Sequence, residues 1–376
     1  MIQNRIPKYV AGNGMVMAAK TIVTSNSYIT FSKPCRLSAS RAIIAYSYGS
    51  SPYGIYARIV YTNGATITLG AQFTVAGGSN ISEISLVRIT DTKAVISWMV
   101  SYTSYYCVLN VSTNTITAGT TYSGLATLVP STIHDSVATS STQFMLYSGN
   151  QNYTGQYLQL FNVSGNVITL AAETNTNITS LMTNCNSGEI YNCGTNEYLL
   201  GIVFTSGSNY YRGFQVVGLS GTTFNPYTLN YFSQNGVGYT YMRKVAQVSL
   251  TRYMYIHSNT NSLSFNFVDI AGDKTIVQDE THYGSFDYPI ANYSSVSSFD
   301  NSYFFVASQG VSNLPVYLSN FKNPKSETRF YSTNFTDSLT NAYPATVALS
   351  SNLGLVFCQS SDNYSYALLV QAVMRN

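Results

Sequence analysis

Charge is what this chain has least of. Only 9% of its 376 residues are Asp, Glu, Lys or Arg, where an ordinary soluble domain carries about a quarter. The net charge of +3 is spread thinly, with Arg243-Lys244 as the one basic cluster. Nucleic-acid binding driven by phosphate neutralisation is therefore not expected. Histidine, tryptophan and cysteine are scarce as well. His134, His257 and His282 have no zinc spacing, and His134-Asp135 has no partner motif. Asp279-Glu-Thr-His282 reads as a solvated turn at a strand end. No Gly-X-Ser-X-Gly elbow, phosphate loop or calcium loop occurs. The five cysteines (Cys35, Cys107, Cys185, Cys193, Cys358) lack metal-ligand spacing. Cys185 and Cys193 could pair across a hairpin, or all five could be buried free thiols. No apolar run reaches the eighteen or so residues of a membrane-spanning helix. The start, Met1-Ile-Gln-Asn-Arg-Ile-Pro-Lys8, lacks the continuous apolar segment of a signal peptide. Synthesis in a reducing cytoplasm is expected, and sequons such as Asn110-Val-Ser112 and Asn162-Val-Ser164 are attributed to composition. No metal or cofactor is expected.

What is present is a core-forming 45% of hydrophobic residues and 33 tyrosines. An apolar run introduced by a turn recurs seven times. It reads Arg41-Ala-Ile-Ile-Ala-Tyr46, Lys93-Ala-Val-Ile-Ser-Trp98, Gln143-Phe-Met-Leu-Tyr147 and Glu197-Tyr-Leu-Leu-Gly-Ile202, then Arg252-Tyr-Met-Tyr-Ile256, Ser302-Tyr-Phe-Phe-Val306 and Leu353-Gly-Leu-Val-Phe357. Successive copies start 52, 50, 54, 55, 50 and 51 residues apart. Self-similarity at a fixed period marks a repeat architecture.

Each repeat reads as four strands. In the second, Glu83–Ile89 and Lys93–Trp98 flank the turn Thr90-Asp-Thr92. Tyr105–Val111 and Thr115–Thr120 flank Ser112-Thr-Asn114. Fourth strands are clearest at Ala65–Gly70 and Asn166–Leu170, after hairpin turns; in the sixth repeat the candidate is Glu327–Phe330. No long helix is expected. A single four-stranded sheet cannot cover both its faces, whereas radial stacking covers them against each other. The expected fold is all-β, a seven-bladed β-propeller of four-stranded antiparallel blades. Only Met374-Arg-Asn376 follows the third strand of the last repeat. The missing outer strand is assigned to the N-terminal segment near Met15-Val-Met-Ala-Ala19, closing the ring. Residues 1–20 then form an arm and ring-closing strand, Thr21 to Phe31 lead into blade one, and 21–376 form the propeller. An unclosed solenoid or a pair of sandwiches is the alternative.

Turns between first and second strands and between third and fourth are short, and share one face. The other face carries the second-to-third loops and the inter-blade connections, such as Thr74–Asn80 and Phe232–Gly238. These are rich in Tyr, Ser, Gly and Asn, the composition of paratopes on a rigid framework. Aromatic faces beside amides also suit sugars. Candidate ligand-binding residues are Tyr48, Tyr53, Tyr102, Tyr105, Asn150, Asn152, Tyr153, Asn209, Tyr210, Asn259, Asn363 and Tyr364. Catalysis is not expected. Glycosidase propellers need two or more axial carboxylates; Glu83, Asp135 and Glu189 lie one per blade at unrelated strand positions, and the sialidase aspartate box is absent.

The period is near that of kelch arrays, but their repeating Gly-Gly and the Trp-Asp of WD40 arrays are missing. The phrases Leu86-Val-Arg-Ile-Thr-Asp-Thr-Lys-Ala-Val-Ile-Ser-Trp98 and Tyr106-Cys-Val-Leu-Asn-Val-Ser-Thr-Asn-Thr-Ile-Thr-Ala-Gly-Thr120 resemble repeats of propeller-like tail-fibre and receptor-binding proteins of bacteriophages. Val163-Ser-Gly-Asn-Val-Ile-Thr169 and Leu37-Ser-Ala-Ser-Arg-Ala-Ile43 fit as well. The resemblance is strong over about residues 35–175. It implies a virion surface protein, assembled in the host cytoplasm, that binds a host cell-surface glycan or receptor and other tail or capsid proteins, with possible homo-oligomers in the virion. Phage fibres usually attach through a separate N-terminal shaft, and about twenty residues are expected to be available for one here. The alternatives are a structural tail, baseplate or capsid-decoration component, and a cellular lectin-like propeller.

Overall fold

Each apolar run is continuous because both of its faces are covered. In Arg41–Tyr48, Ala42, Ile44 and Tyr46 enter one hydrophobic cluster while Ile43 and Ala45 enter another, as the two-residue period of a strand requires. The protein is seen in a computed structural model that describes residues 14–24, 29–48, 53–78, 81–101, 103–124, 130–150, 156–176, 184–206, 209–234, 242–259, 262–286, 290–299, 303–310, 314–320, 333–335, 344–359 and 364–373. All seven runs are strands, the sixth described from Tyr303 onward, and each is the second strand of its own antiparallel sheet.

We number the sheets I to VII along the chain. Sheet I comprises Ile29–Ser38, Arg41–Tyr48 and Gly54–Thr62, flanked by Ile67–Leu69 and Phe73–Gly77. Sheet II comprises Ile81–Thr90, Lys93–Val100 and Thr103–Val111, with Ile116–Ala118 and Tyr122–Ser123. Sheet III runs Pro130–Ser140, Gln143–Asn150, Gln156–Ser164, Val167–Asn175. Sheet IV has Asn184–Gly194, Glu197–Ser206 and Asn209–Ser220, with Thr223–Pro226 and Asn230–Gln234. Sheet V is Met242–Gln247, Arg252–Asn259, Ser262–Ile270, Ile276–Phe286, and sheet VI is Ile290–Ser298, Tyr303–Gly310, Leu314–Asn320, Thr333–Phe335. Sheet VII joins the two ends of the chain: Ala345–Ala348, Leu353–Gln359 and Ser365–Val373 pair in turn, and Gly14–Thr24 adds antiparallel to Ser365–Val373, from Gly14 opposite Val373 to Thr24 opposite Ser365.

Among the described residues the core falls into seven clusters, each between two sheets: I with II, II with III, III with IV, IV with V, V with VI, VI with VII, and VII with I. First strands touch in the same succession, and that of sheet VII touches that of sheet I.

The turns between first and second strands share one device. The hydroxyl or amide oxygen of Ser38, Thr90, Ser140, Asn192, Ser249 and Ser350 accepts the backbone N–H two residues on, at 3.1–3.5 Å. Ser, Thr and Asn are the residues able to fold back on their own turn in this way.

Several expectations are corrected by the coordinates. The closing strand extends to Thr24 rather than stopping near Ala19, and the first strand of sheet I begins at Ile29. Ala65–Gly70 is not one unbroken strand. Ile67–Leu69 stops at Gly70, and pairing resumes at Phe73–Gly77. A Cβ on Gly70 would lie 2.9 Å from the Asn114 carbonyl oxygen in the next sheet, and one on Gly119 would lie 2.8 Å from Asn166 Cβ. The repeated Thr-Ile-Thr-X-Gly phrase thus ends in glycine where a neighbouring turn presses in. Thr74–Gly77 and Phe232–Gln234, read as connections, are strand. The outer strand of sheet VI is Thr333–Phe335; Glu327–Phe330 lies outside the described residues. Cys185 and Cys193 stand on one strand rather than across a hairpin, about 26 Å apart at the usual rise, and Cys193 is a free thiol. Burial pushes the thiols of Cys35, Cys193 and Cys358 up to about 12, which makes them poor nucleophiles. Asp279 lies within a strand and, with Asp269, holds Arg252 at 2.5 and 2.8 Å.

Candidate functional site

In sheets I, II and IV the strand ends that carry the second-to-third loops are built on aromatic pairs. Tyr46 lies opposite Tyr56, Trp98 opposite Tyr105 and Phe204 opposite Tyr211. Their ring centroids are 6.0, 5.6 and 5.4 Å apart, each pair stacked. Direct cross-strand aromatic pairs are among the stronger sheet contacts, so they fix the take-off of the loops above them.

The candidate ligand-binding residues divide around this layer. Tyr53 is 48% exposed at the mouth of its loop. Tyr48, expected on the loop surface, is 5% exposed. Its ring packs on Tyr46 and Tyr56, and its hydroxyl bonds Thr24 Oγ1 of the N-terminal strand at 2.5 Å. It is a core residue because its strand continues one position further than the loop was expected to begin. Tyr105 is half-buried and spends its ring on Trp98. Tyr364 is half-buried beside Tyr366. Asn150, Asn209, Tyr210 and Asn259 sit on the backbone at strand ends facing the loops, with side chains outside the description. Tyr102, Asn152, Tyr153 and Asn363 lie outside the described residues. Tyr231 was not picked out from the sequence. It is 48% exposed and stands edge-on to Phe204 and Tyr211. Its alternation within Asn230-Tyr-Phe-Ser-Gln234 was the available signal.

A second group lies on the first strands. Lys33, Ser85, Asp135, Glu189 and Ser295 occupy one register position: each pairs with the fifth residue of its second strand, respectively Ala45, Ser97, Tyr147, Gly201 and Ala307. Asp135 and Glu189 therefore share a strand position, whereas Glu83 falls in the irregular stretch between Ile81 and Ile84. Three of the five take a backbone N–H of the next sheet's first strand, while the Ser85 hydroxyl pairs with that of Ser136. Asp135 Oδ2 accepts from Ile190 at 3.2 Å, Glu189 Oε2 from Val245 at 2.8 Å, and Ser295 Oγ from Thr346 at 3.1 Å. Those three donors each stand opposite the fourth residue of a second strand. The edge strand of an open sheet leaves such groups unpaired; here the neighbouring sheet's side chain satisfies them.

Charge gathers around this layer. Lys33 Nζ is 3.7 Å from Asp135 Oδ1. Burial alone would lower the Lys33 ammonium, but Asp135, Glu189 and Glu83 outweigh it and hold it above its usual value. Burial pushes Glu83 up to about 7, against the pull of Lys33 and with a push from Asp135. Tyr191 donates to Glu189 at 2.5 Å, and burial together with that carboxylate raises its phenol well above 10. Asp135 and Glu189 are thus committed to holding sheets together.

No protein-family model matches the sequence, and no curated protein does. Solved structures match its fold. The Dos1 propeller has a TM-score of 0.53 at 10% identity and covers 95% of each chain. A protein from Lactobacillus plantarum has a TM-score of 0.51 at 8% identity, covering 89% of this chain and 99% of that one. The fold is that of a β-propeller protein. A NanB sialidase mutant from Streptococcus pneumoniae aligns at 11% identity and a TM-score of 0.46, covering 94% of this chain and 69% of that chain. The expectation that the chain is not an enzyme is accordingly withdrawn: sialidases stand among its structural neighbours, and the shared register of Asp135 and Glu189 removes one of its premises. At this identity the likeness concerns fold alone and assigns no activity.

Proposed function

We propose that the seven sheets are the blades of one closed seven-bladed propeller, and that its loop face binds a host cell-surface glycan or receptor on behalf of a bacteriophage virion. The packing of sheet VII on sheet I supports the ring. What carries the binding reading is the layer of stacked aromatic pairs beneath Tyr/Asn/Ser/Gly loops, with Tyr53 and Tyr231 left exposed beside it. Rings already fixed by packing contribute contact area at little entropic cost, and the small polar residues supply hydrogen bonds. Placement on a virion rests on the repeat phrases that resemble tail-fibre proteins, and the remaining virion proteins are the partners of the turn face. Single sugar contacts are commonly about millimolar, so attachment uses several copies together.

A glycan array combined with whole-cell adsorption tests this reading. Purified protein is expected to bind envelope glycans of one bacterial host and to block phage adsorption. Absence of both, or gene neighbours with no capsid or tail proteins, overturns it.

A further inference from the structure

The turn between the third and fourth strands of sheet I, Asn63-Gly-Ala-Thr66, gathers its polar contacts on one side-chain atom. Asn63 is exposed, yet its Oδ1 accepts three hydrogen bonds: the backbone N–H of Ala65 at 3.0 Å, the backbone N–H of Thr66 at 2.8 Å and the Thr66 hydroxyl at 3.0 Å. An Asn folding back on its own turn needs only one such bond. Because all three donors engage Oδ1, the amide nitrogen Nδ2, on the other side of Cγ, is directed away from them.

The next residue completes the arrangement. Gly64 has φ +90°, and nothing lies within 4 Å of where a Cβ would stand, so no side chain shields its nitrogen. The Gly64 N–H donates to Thr62 Oγ1 at 2.9 Å. Thr62 is itself fixed: it is buried, its own N–H donates to the Ser40 carbonyl at 2.9 Å, and it stands opposite Ile67. A nitrogen nucleophile and a side-chain carbonyl thus belong to adjacent residues. Donors surround the oxygen on which negative charge would gather, and a hydroxyl faces the proton that must leave. Those are the working parts of an acyl transfer within one turn.

We infer that Asn63 is a site of self-catalysed deamidation, with water as the co-reactant. The Gly64 nitrogen bonds to Asn63 Cγ, Oδ1 carries the negative charge of the tetrahedral intermediate beneath its three donors, and the Gly64 proton passes through the Thr62 hydroxyl to solvent. The Cγ–Nδ2 bond then breaks, Nδ2 takes up a proton and leaves as ammonia, and a cyclic imide remains. Water opens the imide at either carbonyl, giving aspartate or isoaspartate. Each product adds a carboxylate and lowers the net charge of +3 by one. The isoaspartyl form also lengthens the backbone by one methylene between Thr62 and Ile67, the pair that opens the fourth strand.

Peptide mass spectrometry of the full chain tests this, with samples incubated at neutral pH either folded or unfolded in urea. A gain of about 1 Da at Asn63 is expected to accumulate at least about threefold faster in the folded chain, because only the folded turn assembles the donors. Thr66→Val, an exposed change, removes the hydroxyl donor and should slow the folded rate about threefold, leaving the rate in urea unchanged. Thr62→Val removes the proton's acceptor and should slow the folded rate as well, with a thermal melt confirming that each variant is folded. A folded rate equal to or below the rate in urea, or a folded Thr66→Val protein that matches the wild type, overturns the inference.

Discussion

Two joins between neighbouring sheets are made by different means. Between sheets III, IV and V, carboxylates on the first strands accept backbone N–H groups from the neighbouring sheet, and Lys33 offsets part of their charge. Between sheets VII and I that register position has neither acceptor nor donor, because the residues are Ala345 and Pro34, and the backbone N–H accepted across the join is that of Ile29, by Gln359 Oε1. That seam is held instead by the added N-terminal strand, by the Thr24–Tyr48 hydrogen bond and by a shared apolar cluster. The comparison teaches that a repeat array can staple several of its joins through one register position, while the join made by the chain ends adds a strand. A buried hydroxyl, that of Ser365, is left unpaired at that join, as that of Ser148 is in sheet III.

The largest effect is expected from removing the strand at the closing seam. Deleting residues 14–24 exposes the edge of Ser365–Val373 and uncovers one face of sheet VII. A loss of about 5 kcal/mol or more, comparable with the whole stability of an ordinary domain, should appear as failure to give a cooperative thermal melt by circular dichroism. Next is Glu189→Ala at the stapled seam, which removes the acceptor of the Tyr191 hydroxyl and leaves the Val245 N–H only its longer bond to that hydroxyl oxygen at 3.2 Å. A cost of about 2–3 kcal/mol follows from the unpaired groups, measurable by urea denaturation. Glu189→Gln keeps an acceptor and should recover more than half of it.

Gly119→Ala should cost about 1–2 kcal/mol, because the new methyl meets Asn166 of sheet III at 2.8 Å. Glu83 supplies the pH arm of the comparison. Its carboxyl is held up to about 7 by burial, so folding favours its neutral form. No penalty is felt below about pH 4.5, and stability falls as pH rises toward 7. The penalty is complete above that, on the order of 1–3 kcal/mol at 1.36 kcal/mol per unit. Glu83→Gln should flatten this fall in melting temperature between pH 5 and 8, which a series of melts will read. Smallest is Ser365→Ala at the closing seam: removing an unpaired hydroxyl should change stability by no more than about 1 kcal/mol, in the stabilising direction. Destabilisation there comparable with Glu189→Ala would erase the distinction between the two seams.

Much of the fold is legible along the chain because second strands are covered on both faces. Every residue from Ala42 to Tyr46 must then be apolar, and such runs recur visibly. The Ser, Thr and Asn of the turns were legible for a similar reason, since they bond within two residues of themselves. The fourth strands were harder to read. They are short, interrupted by glycines that answer to a neighbouring sheet, and only partly covered. The candidate site was legible as a composition rather than as residues. Tyr48 and Tyr53 look alike in sequence, yet one packs into the core and the other meets solvent.

What the amino-acid order determined by itself was the count of repeats, their strand register within each hairpin and the shortage of charge, all of which depend on neighbours a few residues away. Tertiary structure alone decided which first-strand side chains share a level, which carboxylates become acceptors for a backbone some fifty residues distant, and where the last seam leaves a hydroxyl unpaired. Those outcomes depend on contacts between sheets, and the strand period that shapes each sheet carries no information about the side chain waiting in the next one.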